Sequence, residues 1–155
     1  MNKKYFQYSK GFTLIELMIV LIIVAIFTAI AIPAYQSFIR RTHEAQVQQE
    51  IQRIATLLER HKSRNFNYLN FLINPDPTVI PVGATGGAIK YTITVWDGAN
   101  TAKKLTDSSV AGQSWAIRAI ASESQARSFV MTSSGLRCQK QGPIIDFSCT
   151  GATSW

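Results

Sequence analysis

From Phe12 to Ile32 the chain is apolar at nearly every position, and Glu16 is the one charged residue in that run of 21. As a helix rising about 1.5 Å per residue, such a run spans roughly 30 Å, the thickness of a bilayer's hydrocarbon core. It is long enough to cross a membrane. Past Pro33 the pattern changes. Val47, Ile51, Ile54 and Leu58 recur at i, i+4, i+7 and i+11, with Ala55 beside them and Gln48, Gln49, Gln52, Arg53, Glu59 and Arg60 between. This is the stripe of an amphipathic helix, whose apolar side needs a partner surface. Unbroken from Phe12 to Lys62, the two segments make one helix about 75 Å long. Pro33 removes one of its hydrogen bonds, so a kink is expected there. Glu50 with Arg53, and Glu59 with Lys62, stand at spacings suited to surface ion pairs.

Asn65, Asn67 and the Pro75-Asp76-Pro77 cluster mark the helix end and a connecting loop over 65–88. Ile89 to Trp96 alternates Tyr91, Ile93 and Val95 against Thr92, Thr94 and Trp96, and Trp115 to Ala121 alternates in the same way, so both read as strands. Ser128 to Thr132 is a third strand, turned by Ser133-Ser134-Gly135, and Leu136 to Cys138 a short fourth. The connection opened by Asp97-Gly98-Ala99-Asn100 is too long for a tight hairpin. Gly83 to Gly87 reads as a flexible loop, since no Lys-Ser/Thr pair follows it to make a phosphate cradle. The pattern therefore predicts an α+β chain: a long N-terminal helix laid on an antiparallel sheet of three or four strands.

With 155 residues there is room for one domain and a modest core. The net charge is +7. Lys3, Lys4 and Lys10 supply three of the 16 basic residues, so without the segment before Phe12 there remain 13 against 9 acidic ones, a balance of +4. These lysines precede the apolar run, whereas Arg40 and Arg41 follow it with Glu44 nearby, which favours a cytoplasmic N-terminus and an outward C-terminal domain. Cys138 and Cys149 have ten residues between them and no metal-ligand pattern around them. A disulfide is the simplest reading; it would contribute roughly 3 kcal/mol and require an oxidising compartment.

Two plain readings of the N-terminus compete. A secretory signal peptide has basic, apolar and small-residue regions in this order, with Ala29-Ile30-Ala31 as the cleavage site, but its apolar region is usually shorter. An ordinary single-span anchor leaves Glu16 unexplained, because an acid inside a membrane helix costs on the order of 3 kcal/mol.

The string Lys10-Gly11-Phe12-Thr13-Leu14-Ile15-Glu16-Leu17 resembles the processing site of the type IV pilin superfamily, K-G-F-T-L-I-E. The resemblance implies that prepilin peptidase cuts after Gly11 on the cytoplasmic side and methylates the new amino terminus, giving N-methyl-Phe12. Unlike signal peptidase, it leaves the apolar helix in place. Gly11 lets the backbone approach an active site closely. The freed Phe12 amine lies one helical turn from Glu16, and methylation preserves its charge. In the family this carboxylate pairs with the amine of a neighbouring subunit, which here assigns Glu16 and Phe12 to assembly and axial register. Ile32-Pro33-Ala34-Tyr35 matches the family's I-P-x-Y, adding Pro33 to the assembly segment. Ala25 departs from the glycine many pilins carry, which makes local unwinding harder. Arg60 to Tyr68 resembles a degenerate form of the Y-x-x-N-x-x-Y region that follows the helix in minor pilins.

What the resemblance implies is a pilin fold in five parts: a cleaved leader over 1–11, a transmembrane and assembly half-helix over 12–33, an amphipathic half-helix over 34–64, a connecting loop over 65–88, and a sheet with a disulfide-closed C-terminal loop over 89–155. The function expected is that of a minor pilin incorporated in, or priming, a type IV pilus for twitching motility, adhesion or DNA uptake. Its partners would be other pilin subunits, prepilin peptidase and the inner membrane, with the C-terminal domain in the periplasm before assembly and on the cell surface afterwards. A major pilin, a type II secretion pseudopilin and a DNA-binding pilin are the alternatives.

Chemistry of other kinds finds little support. His43 and His61 lie 18 positions apart on the helix, and no nucleophile or nucleotide motif is present, so neither enzyme nor cofactor is expected. Major pseudopilins hold calcium near the C-terminus with acidic ligands, but Asp146 is the only acid after Glu123, so no metal site is expected. Lys90, Lys103, Lys104, Arg118, Arg127, Arg137 and Lys140 make the outward domain basic, and Trp96, Trp115 and Trp155 offer faces on which bases could stack. The plainer view of these charges is a solvated surface, and Trp115 alternates as a core strand residue would.

Overall fold

The computed structural model describes residues 11–155, which divide into two units, the first ending at Ile39 and the second spanning Arg40–Trp155. Thr13 opens α1, Leu14–Asn65, a helix of 52 residues. The Thr13 hydroxyl accepts the Glu16 N–H at 3.2 Å and the Thr13 carbonyl accepts the Leu17 N–H, so the first turn is capped from within the chain. Thr13 and Glu16 have capping-box spacing, and an acid in the first turn complements the helix dipole.

In the first unit α1 is exposed at every position through Gln36, with Phe12, Leu14 and Phe27 at 78%, 77% and 69%. Its polar groups are satisfied locally: the Thr28 hydroxyl donates to the Val24 and Ala25 carbonyls, and Ser37 donates to Ala34. Pro33 lies inside the helix. Having no N–H, it leaves the Ala29 carbonyl without its usual partner, yet helix continues on both sides.

In the second unit the predicted stripe of α1 is the core. Val47, Ile51, Ile54 and Leu58 are fully buried against Tyr91, Ile93, Ile117, Ala119 and Phe129. These partners come from a five-stranded antiparallel sheet in chain order, β1 Thr78–Ile80, β2 Tyr91–Asp97, β3 Trp115–Ala121, β4 Arg127–Thr132 and β5 Arg137–Gln141. Along β2 burial alternates at every residue, the period-2 signature of a sheet with one face on a core.

The sheet is thus larger than the three or four strands expected. β1 falls inside the stretch read as a connecting loop: its three residues lie between Pro77 and Pro81, and prolines at both flanks suit an edge strand that pairs on one side only. β5 extends to Gln141 because backbone pairing with β4 continues through polar side chains.

Two long connections brace each other. Tyr68 N–H donates to Gly112 and Asn70 N–H to Leu105, tying the segment after α1 to the β2–β3 connection. Gly112 has φ +60°, and a Cβ there would come within 2.6 Å of Leu69. At the other end Cys138 and Cys149 form a disulfide with a Cα separation of 5.9 Å. With Val130, Ile145, Phe147 and Ala152 they make a second small core on the sheet face opposite α1.

Candidate functional site

The N-terminal candidates occupy the first turn of α1 and the residues before it. Gly11 is exposed, and a Cβ added there would meet nothing within 4 Å. Among the described residues the fold places no steric demand for glycine at this position. Among the described residues no cation bonds the Glu16 carboxylate, which stands on the exposed, mostly apolar first part of α1. Lys3, Lys4 and Lys10 lie outside the described residues.

Six of the seven basic residues singled out from sequence fall into two groups, and Lys140 lies in neither, lining a surface depression with Arg127 and Gln139. Four of the seven singled out from sequence are ion-paired: Lys90 with Glu123 at 2.7 Å, Lys104 with Asp76 at 2.6 Å, Lys103 with Asp107 at 3.8 Å and Arg127 with Glu44 at 3.7 Å. The Lys90 hydrogen bond, with Arg40 and His43 nearby, holds the Glu123 carboxyl below the usual range. Arg118 and Arg137 instead lie over aromatic rings. Arg118 projects from the sheet face opposite α1, with its guanidinium 4.8 Å from the Phe147 ring and 5.6 Å from Trp96, and Arg137 covers Trp155 at 5.6 Å.

The three tryptophans have different roles. Trp115 is a core residue, and its indole N–H donates to Glu59 at 3.1 Å. Its face is not free for a base. Trp155 packs edge-on against Phe129, and its N–H donates to the Val130 carbonyl. Trp96 stays half-buried on the outer face, with its N–H directed to Thr94.

Sequence reasoning missed a further cationic surface at the C-terminal end of α1. Arg53, Leu57, Arg60, His61 and Arg64 share one helix face, and the returning segment Asn70 to Asn74 walls a groove of about 500 Å³ against them. Arg53 is held by Glu50 through two bonds of 2.6 and 2.8 Å, as its spacing predicted. Among the described residues no acid pairs with Arg60 or Arg64. The i, i+7, i+11 spacing of the three arginines was a legible signal. The expected Glu59–Lys62 pair does not form. Glu59 accepts the Tyr68 hydroxyl at 2.8 Å as well as the Trp115 N–H, while the Lys62 ammonium lies 4.9 Å above the Tyr68 ring.

Both histidines are half-buried rather than exposed. His61 donates from Nε2 to the Leu69 carbonyl at 2.9 Å, and its Nδ1 lies 3.3 Å from the Asn65 amide nitrogen, contacts that pin the groove's far wall. Among the described residues no group of three or more His, Cys, Asp or Glu side chains is placed to hold a metal ion. What the geometry offers is cationic and aromatic recognition.

Comparison with known proteins agrees on the class. Residues 33–140 match the family model described as type IV minor pilin ComP, DNA uptake sequence receptor, and residues 7–32 match the prokaryotic N-terminal methylation motif. The chain is 42% identical over 104 residues to the type IV major pilin protein PilE1 of Neisseria gonorrhoeae, a match covering 64% of this chain and 45% of that protein. It is 36% identical over 106 residues to the type IV major fimbrial protein FimA of Dichelobacter nodosus, covering 59% and 68%. It is 50% identical over 51 residues to a fimbrial protein of Pseudomonas aeruginosa, covering 33% of each. The chain therefore spans less than half of the gonococcal relative's length. No solved structure matches.

Proposed function

The chain belongs to the ComP family of type IV pilins, and on that premise we propose that it is a minor pilin, stored in the inner membrane, assembled into a surface filament through α1, and equipped to receive DNA on its C-terminal unit. The observation that carries the assembly reading is the first part of α1, exposed at every position through Gln36 and apolar over 12–32 except for Thr13, Thr28 and one acid, Glu16, in the first turn. Such a surface requires lipid or other helices around it.

Cleavage after Gly11 would free the Phe12 amine, and methylation would keep its charge. In a bundle of these helices Glu16 then has one natural partner, the amine of a neighbouring subunit. Opposite charges 4 Å apart attract by about 4 kcal/mol at an effective dielectric of 20, enough to select one axial register over lipid exposure of the carboxylate. The parts then divide the labour: 1–11 is the leader, 12–33 stores and assembles the subunit, 34–64 carries the outward fold and the arginine face of the groove, 65–88 connects and walls that groove, and 89–155 supplies the sheet and the disulfide region. Export of that last part also suits the Cys138–Cys149 disulfide.

The DNA reading draws on the description of the matching family and on the groove whose Arg60 and Arg64 have no acidic partner among the described residues. Arginines without acidic partners neutralise phosphates and release counterions. The N-terminal motif and the relatives named as major pilins support a filament subunit equally well without DNA, so the two readings need separate tests.

Deletion of the gene should reduce transformation while exoprotein secretion stays normal; lost secretion with normal pili would point to a secretion pseudopilus instead. Glu16→Ala should be cleaved normally yet fail to enter filaments, scored as membrane-retained mature subunit against sheared pili. Normal incorporation of that variant would overturn the proposed pairing.

A further inference from the structure

The end of the second unit at which α1 enters it is basic and is built from several chain segments. Arg40 and Arg41 open this unit, about one helical turn before Glu44. Glu44 accepts the Arg127 N–H at 3.1 Å and pairs with the same residue's guanidinium at 3.7 Å, which brings the start of β4 to that level of α1. The turn before β4, Ser122 to Ala126, carries Glu123, which holds Lys90 at 2.7 Å and has Arg40 and His43 nearby. Lys140, near the end of β5, lines a depression together with Arg127. The β1–β2 loop opens from the same end, because Ile80 pairs with Tyr91 and Tyr91 with Ala121 at the last rungs before the two turns, and that loop carries Val82 at 90% exposure.

Five bases, Arg40, Arg41, Lys90, Arg127 and Lys140, thus meet two acids, Glu44 and Glu123, which leaves +3. Both acids are already engaged, by Arg127 and Lys90. Among the described residues no acid forms a salt bridge with Arg40, Arg41 or Lys140.

The residues just before this end say what it faces. The apolar run stops at Ile32, the exposed aromatics Tyr35 and Phe38 follow, and then come Arg40 and Arg41. Aromatic side chains and then arginines mark the place where a membrane helix passes from hydrocarbon to headgroups. The eight residues from Ile32 to Arg40 rise about 12 Å as helix, and side chains on a helix lean toward its N-terminus. With 12–32 in the bilayer, the two arginines are within reach of the headgroup layer.

Building on the reading that the subunit is stored in the membrane, we propose that this basic end is a lipid-docking surface: Arg40, Arg41 and Lys140 hold the phosphates of anionic phospholipids, and Val82 enters the headgroup layer beside them. Docking holds the second unit against the bilayer until the subunit leaves for the filament. The arginine groove lies about 30 Å further along α1, counted from Arg40 to Arg60, and stays open to a ligand while the subunit is docked.

The test uses the full chain in vesicles of phosphatidylcholine, with or without about one third phosphatidylglycerol, and with a nitroxide on the lipid headgroups. The two native cysteines are bonded to each other, so a bimane probe can be attached through Ser124→Cys in the exposed β3–β4 turn. Quenching of the probe should be strong with phosphatidylglycerol, weak without it, and lost near 1 M salt, where the screening length falls to about 3 Å. Arg40→Gln, Arg41→Gln and Lys140→Gln should each lower the ratio of docked to free about 5-fold, and the triple variant should abolish docking. Val82→Ser should weaken docking without changing its salt dependence. Lys62→Gln, at the far end of α1, should quench like the parent.

If the chain does not float with the vesicles, the storage reading fails and this proposal with it. If it floats but quenching is the same with and without phosphatidylglycerol, or the triple variant quenches like the parent, the storage reading stands and this proposal is overturned. Failure of that same triple variant to enter filaments would then make the basic end a contact between subunits.

Discussion

The two units divide one helix between opposite solutions to the same problem. Through Ile32, α1 is apolar apart from Glu16 and Thr28 and exposed at every position; beyond Arg40 it carries a narrow stripe, Val47, Ile51, Ile54 and Leu58, that is wholly buried on the chain's own sheet. The first arrangement leaves the partner to be found outside the chain, and the second supplies it within. A substitution should therefore register in a different assay depending on where along α1 it falls, although the helix itself is continuous from Leu14 to Asn65.

The strongest test of that division exchanges an apolar residue for an acid in each unit. Ile51→Asp puts an unpaired carboxylate in the fully buried core and should cost about 5 kcal/mol or more, a large part of what holds a domain of this size together. Loss of the cooperative melt by near-ultraviolet circular dichroism is the expected result. Leu21→Asp should leave that melt unchanged in detergent while preventing stable membrane retention. If Leu21→Asp lowers the melting temperature as much as Ile51→Asp does, the two units are not energetically distinct.

Next in size comes the disulfide, which belongs to the second unit alone. Replacing Cys138 and Cys149 with serine should cost about 3 kcal/mol by the loop-entropy account and loosen the small core of Val130, Ile145 and Phe147. The same loss should follow reductant in the parent protein and be absent in the double serine variant. Phe147 also supports Arg118, so proteolysis should then begin within the loop it closes.

A smaller effect is expected at Glu59, where α1 is joined to the segment that follows it and to the start of β3. Its carboxylate accepts the Tyr68 hydroxyl and the Trp115 indole N–H, and Glu59→Ala strands both donors. A loss of roughly 1 to 3 kcal/mol follows, measured as a shift of the urea midpoint, with Tyr68→Phe recovering part of the mismatch when combined with it.

How far the fold could be read from sequence follows the range of the interactions. The apolar run and the stripe of α1 declare themselves through local spacing, and so do β2 and β3, whose alternation repeats over seven residues. β1 did not, because three residues between prolines carry too little period to separate from a loop, and its pairing with Ile93, Thr92 and Tyr91 is a tertiary fact. The candidate site was legible in the same measure. The three arginines show their common face in spacing, but the groove exists only because the chain returns at Asn70 to Asn74. Which lysines were already spent on acids was hidden, since Asp76 lies 28 residues from Lys104 and Glu44 lies 83 from the Arg127 N–H that it accepts.

The smallest expected effect concerns the charges at the start of the second unit, and its sign can be worked out. The Lys90 hydrogen bond, followed by the charges of Lys90, Arg40 and His43, holds the Glu123 carboxyl below its ordinary value in the folded protein. In the unfolded chain that carboxyl titrates near its usual value of about 4.3. The unfolded state thus binds the proton more readily, so the pair's contribution is fully present above that value and is lost as pH falls through the lower folded one. Because the Lys90 and Glu123 side chains are 38% and 43% exposed, solvent screens them and the contribution is at most about 1 kcal/mol. Lys90→Met should accordingly lower stability slightly at neutral pH, less in high salt, and not at all at pH 2. If the parent and the variant differ equally at pH 7 and pH 2, the lysine acts through the packing of its methylene stem, and the charge pair at this end of the domain contributes nothing to holding it together.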